Sequence, residues 1–132
     1  MVHRRNLLAY LIGAGVAGTL LIGPYAGRLA VIWLLPGATL GPVPFFLLPV
    51  VWGVWNLLWA RWQPAVGIGT WGAIVGAILG VVVNVLFIAQ RTWFAGAMLL
   101  PVFLPVLYFL LWRLVIGPLN EALGVEGERT RA

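Results

Sequence analysis

Inside the apolar body of this chain, the residues able to do chemistry are amides and aromatic rings. Trp52, Trp55, Asn56, Trp59 and Trp62 step by threes and fours, so they share one broad face of a helix. A face of that kind can pack into a smooth neighbour. It can also take a lipid tail, a quinone-like ring or an organic cation, the last by cation–π attraction. After a break at Gln63, Pro64 and Ala65, the same spacing recurs in Gly69, Gly72, Gly76 and Gly80 and ends on Asn84. Counting back from the turn in an antiparallel hairpin sets Trp59 level with Gly69, Asn56 with Gly72 and Trp52 with Gly76. The spacing therefore predicts rings seated in a glycine groove, with those four glycines as helix-packing positions.

Asn84 continues the glycine face. A buried amide is costly unless paired, so it is expected to bond to another helix, another subunit or the carbonyl freed at Phe45. As a functional residue it would line a solute path with Asn56, Thr70 or Gln90. Tyr108 is expected to hydrogen bond between helices, and Tyr10 to anchor at an interface. The candidate ligand or path residues are thus Trp52, Trp55, Asn56, Trp59, Asn84 and Tyr108.

The missing residue types restrict the chemistry further. The chain has no Cys, Ser, Asp or Lys. Thiol and serine nucleophiles, disulfides and catalytic lysines are therefore ruled out by inventory. Glu121, Glu126 and Glu128 follow the last apolar run, and His3 precedes the first. No carboxylate or imidazole falls within an apolar run, which counts against haem ligation and against a titrating carboxylate of the proton-coupled type. The reading is a non-enzyme with no catalytic, cofactor or metal site.

These residues must be held by membrane helices. Of 132 residues, 63% are hydrophobic and 8% charged, whereas soluble domains carry about 25% charged residues. The apolar runs are apolar on both parities, so helices are expected rather than barrel strands. The fold class read from this is an all-α integral membrane protein with four transmembrane helices. They span about residues 7–23, 43–62, 65–89 and 93–116, in one domain of residues 1–116. The first run is longer than a signal peptide core and lacks a clear cleavage site, so it is read as a span. Residues 24–42 hold a short apolar piece, Leu29 to Leu35, among turn signals. It is expected to be an interfacial or re-entrant segment, the alternative being a first helix that continues through Pro24 with a kink and ends near Leu35. Pro49 is expected to kink the second span, and Pro101 and Pro105 to bend or unwind the outer half of the fourth. Residues 117–132 read as a polar cytoplasmic tail, one frayed turn and then disorder.

The net charge of +5 comes from eight arginines. Arg4, Arg5, Arg61, Arg113, Arg129 and Arg131 would lie inside, and Arg28 and Arg91 outside, which places both termini in the cytoplasm. The localisation read from this is the inner (cytoplasmic) membrane of a bacterium or archaeon. The lipid bilayer is the expected partner, through anionic headgroups, and nucleic acid is not. A 52-residue offset matches Leu47, Leu48, Pro49, Val50, Val54, Leu58 and Arg61 with Leu99, Leu100, Pro101, Val102, Val106, Leu110 and Arg113. This suggests two similar hairpins in parallel orientation. The expected function is a scaffold or accessory subunit that forms a homo-oligomer or joins a larger membrane complex through glycine-rich helix faces. The alternative is an oligomeric channel or transporter for a small solute or lipid, with a path near Asn56 and Asn84.

Overall fold

Small residues at every fourth position let two helix backbones come into contact, and this chain uses that device twice. In the computed structural model, which describes residues 2–34, 45–62, 64–91 and 98–125, α1 (Val2–Leu20) packs along α3 (Leu48–Trp62), and α4 (Ile68–Ala89) packs along α5 (Leu100–Leu111). Ala9, Gly13 and Ala17 are buried on α1. A Cβ on Gly13 would collide with the Trp52 carbonyl of α3. On α4, a Cβ on Gly76 would stand 2.6 Å from Leu104 O, and one on Gly80 2.8 Å from Leu100 O. Contacts that close require the bare backbone.

The sequence offset reappears in these contacts. Trp52 and Leu104, 52 residues apart, present equivalent carbonyls to Gly13 and Gly76. The two pairs are built alike, as the matched hairpins suggested. The predicted partner of the glycine face is nevertheless wrong. Gly69 lies against Phe109, Gly72 against Tyr108 and Trp112, Gly76 against Leu104, and Gly80 against Leu100 and Pro101, all on α5. The rings of Trp52 and Trp59 do not sit in that groove, and α3 meets α4 far less than it meets α1. α5 fills the groove in two ways: the Leu104 and Leu100 carbonyls come against Gly76 and Gly80, and the side chains of Phe109 and Trp112 come against Gly69 and Gly72.

Between α1 and α3 the chain also departs from expectation. It turns at Leu21 and continues as α2 (Ile22–Leu34). Leu21 N–H donates to Ala17 O (3.0 Å) and Tyr25 N–H to Leu21 O (3.1 Å), so helical bonding passes through the junction. Residues 22–34 are therefore a helical continuation of α1, the alternative reading rather than a re-entrant loop. Trp33 and Leu34 are strongly exposed on it. Residues 35–44, which include the rest of the expected interfacial segment, lie outside the described residues.

Pro49 does not kink a helix interior. A 3₁₀ turn, Phe45–Leu47, leads into α3, so the proline falls in the first turn, where its missing N–H costs nothing. Pro101 occupies the same place in α5, and Pro105 lies inside that helix. The start of the fourth expected span, residues 93–97, lies outside the described residues. The irregularity in this helix is at its other end, a π turn at Trp112–Ile116, followed by α6 (Gly117–Ala122). Gly117 N–H donates to Trp112 O, five residues back. Pro118 can neither donate to the preceding turn nor fit against its carbonyls, and the wider π turn makes room for it.

Among the described residues the fold is all-helical, without strands. Two helices, Ile68–Ala89 and Leu100–Ala122, are long and apolar enough to cross a membrane. α3 alone, at 15 residues, is about 22 Å long, and the 3₁₀ turn that leads into it brings the helical stretch to about 28 Å, close to a hydrocarbon core of about 30 Å.

Candidate functional site

Where the two helix pairs meet, large aromatic rings and two amides replace the small residues. Trp52 of α3 and Tyr108 and Trp112 of the α5 end form a closed cluster. Trp52 meets Tyr108 edge-on at 4.9 Å between centroids and Trp112 at 4.7 Å, while Tyr108 and Trp112 stack at 5.6 Å and 13°. Trp52 Nε1 donates to Tyr108 Oη at 3.1 Å. Each such ring pair is worth about 0.5–1.5 kcal/mol beyond its buried area. The rings thus act as an adhesive layer between the two pairs.

One turn inward from Trp52 is Asn56, fully buried, facing the equally buried Asn120 of α6. The two amides bond reciprocally: Asn56 Nδ2 donates to Asn120 Oδ1 and Asn120 Nδ2 to Asn56 Oδ1, each at 2.9 Å. Asn56 Nδ2 also donates to Ala9 O of α1 at 2.8 Å. Three elements are thereby joined at one level. Val125 is fully buried beyond them, and its N–H donates to Asn120 O at 2.7 Å. The expected frayed tail after Gly117 is thus corrected as far as Val125, because its first residues carry the partner of Asn56. Residues 126–132 lie outside the described residues.

A second reciprocal pair links α3 to α4. Trp55 Nε1 donates to Trp71 O (2.9 Å) and Trp71 Nε1 to Trp55 O (3.1 Å), with the rings stacked at 4.6 Å and 22°. Trp59 lies against the same Trp71 ring at 6.1 Å.

The six predicted candidates therefore do not form one site. Trp52, Asn56 and Tyr108 converge in the closed centre, Trp55 and Trp59 share Trp71, and Asn84 is half-buried one turn beyond Gly80 on α4. None of them lines the open apolar groove of about 630 Å³ at the other end, which is bounded by Leu21, Tyr25 and Leu29 on one side and Phe46 and Pro49 on the other. Sequence reasoning missed Trp71, Trp112 and Asn120. The last two had a signal, since Tyr108, Trp112, Ile116 and Asn120 recur in fours and all are buried. Steps of four drift by about 40° each on a regular helix. The intervening π turn offsets that drift and keeps all four facing inward.

Among the described residues no three His, Cys, Asp or Glu side chains converge as metal ligands. Chemically, the indole and amide donors of Trp52, Trp55, Trp71, Asn56 and Asn120 all end on acceptors within the bundle, whereas Trp112 Nε1 is buried without a hydrogen-bond partner among the described residues. No protein family matches the chain, and no curated protein or solved structure is similar to it.

Proposed function

We propose that this chain is a non-catalytic integral membrane protein with four helical spans and both termini cytoplasmic, serving as a scaffold or accessory subunit of a membrane assembly. The observation that carries this reading is an inverted distribution of polarity. Only 22% of the most apolar window in each of the two long helices is buried. Val81, Val85 and Ile88 on α4 and Val102, Phe103 and Val106 on α5 are all more than half exposed. Outward aliphatic faces around an interior whose amides Asn56 and Asn120 are paired with each other suit a hydrocarbon solvent and not water.

The glycine ladder of α4 is occupied by α5, so it is not the assembly face. Gly15 and Gly18 on α1 and Gly23 on α2 have open space where a Cβ would be, and a neighbouring helix can approach there. A solute path at Asn56 has less support, because Asn56 is fully buried and its amide is committed to Asn120 and Ala9.

Because the chain has no cysteine, single-cysteine variants test the membrane reading directly. Val85→Cys and Val102→Cys in proteoliposomes are expected to resist a membrane-impermeant maleimide, while Arg61→Cys labels. Equal labelling of all three overturns the membrane reading. The scaffold reading expects particles heavier than one protomer in native nanodiscs. A single protomer that carries solute flux overturns it.

A further inference from the structure

The α1–α3 rim carries cations that nothing among the described residues neutralises. The register that sets Ala9 against Asn56 and Gly13 against Trp52 brings Arg5 level with Ala60 and Arg4 level with Arg61. Arg4 and Arg61 are exposed. Arg5 is half-buried, and its Nε is sealed from solvent without a hydrogen-bond partner. The next residue, Asn6, holds a buried Oδ1 in the same condition. Glu121, the one carboxylate among the described residues, is exposed and makes no ion pair with these arginines.

Arg5 Nε is closed to an outside ligand as it is to water, so the outer fork of the guanidinium, its two Nη groups, is the edge that meets an approaching anion and matches two oxygens of a phosphate. We infer that Arg5, supported by Arg4 and Arg61, binds the phosphodiester of an anionic phospholipid at the cytoplasmic rim of the α1–α3 pair. A lipid fits better than free phosphate because the apolar surface continues from the site. Arg4, Leu7 and Leu11 share one face of α1, with Leu7 58% and Leu11 53% exposed, and Trp62 at the end of α3 is 65% exposed. An acyl chain attached to the bound headgroup runs along Leu7 and Leu11. The inference rests on the membrane reading above.

The test uses the full chain in mild detergent, with native mass spectrometry reading how much dioleoyl phosphatidylglycerol or dioleoyl phosphatidylcholine stays bound. Phosphatidylglycerol is expected to be retained preferentially. Arg5→Gln is expected to reduce its retention about fivefold, the effect of one arginine at an anionic surface, without changing phosphatidylcholine retention. Arg5→Lys, which keeps the charge but loses the fork, falls between. Arg91→Gln, at the other end of α4, behaves as the parent does. Equal retention of the two lipids by the parent, or an unchanged preference in Arg5→Gln, overturns the site. Displacement of the lipid by millimolar inorganic phosphate overturns the lipid as ligand. If Arg5→Gln does not fold, the surface double variant Arg4→Gln/Arg61→Gln decides, with a retained preference counting against the site. Val85→Cys added to each variant keeps the two failures apart: a protected cysteine without lipid preference sinks the site alone, and an unprotected cysteine sinks the membrane reading.

Discussion

Asn56→Leu is the most informative single change. It removes all three hydrogen bonds at the level where α1, α3 and α6 meet, and strands Asn120, itself fully buried, among apolar neighbours. An unsatisfied buried amide costs about 1–3 kcal/mol. Ala9 O loses little, because it remains in its own helix. We therefore expect Asn56→Leu and Asn120→Leu to destabilise by about 2 kcal/mol each. In the double variant neither amide is left stranded and the two leucines pack together, so the cost is also about 2 kcal/mol rather than the additive 4. Equilibrium unfolding in detergent micelles reads this cycle through the intrinsic fluorescence of the eight tryptophans. Interhelical bonds in lipid are on average worth only about 0.6 kcal/mol, so the value of about 2 is a demanding one. Strict additivity in the double variant, or two neutral single variants, would refute the reciprocal amide pair as the joint between the two halves.

Other expectations follow from the same contacts. Gly76→Ala puts a methyl 2.6 Å from Leu104 O and should cost about 1–3 kcal/mol as overpacking. Gly15→Ala meets open space and should gain up to about 1 kcal/mol from helix propensity; thermal unfolding of the two variants separates them. Trp71→Phe removes one indole donor of the reciprocal pair and perturbs a stacked ring couple, so the near-ultraviolet circular dichroism should lose intensity while helix content holds. A stop after Pro118 removes both Asn120 and the fully buried Val125 and should lower the melting temperature by more than Asn120→Leu does, as a melting curve would show.

Helix class, the rough extent of each long helix and the importance of small residues at fourfold spacing were legible because they follow from hydropathy and periodicity. Which helix fills which groove was not. The pairing of Gly76 with Leu104 rather than with Trp52 is decided by how closely backbones fit, and spacing alone does not carry that information. Asn56 was legible as a polar member of the tryptophan face and a candidate path residue, while the need for a partner was read at Asn84. The partner of Asn56 was missed because residues 117–132 read as a polar tail, whereas here Gly117-Pro118 follows a π turn and opens α6. Chain ends judged by polarity alone hide this, since Asn120 and Val125 sit in a segment that looks solvated. The match between Leu47–Arg61 and Leu99–Arg113 could be read in sequence only as similarity; the equivalent carbonyls of Trp52 and Leu104 give it a geometric meaning.

The Asn56–Asn120 bond also has a bearing on biosynthesis. Its two ends are 64 residues apart, and a ribosome adding about 5–20 residues per second needs roughly 3–13 seconds to bridge that gap. During that interval α3 has left the exit tunnel with its amide still without its mate. Water, an insertase or a chaperone must shield Asn56 until α6 arrives. The arrival of α6 therefore sets the moment at which α1 and α3 lock to it, so a pause in translation between α4 and α5 should leave the nascent chain open to proteolysis at α3.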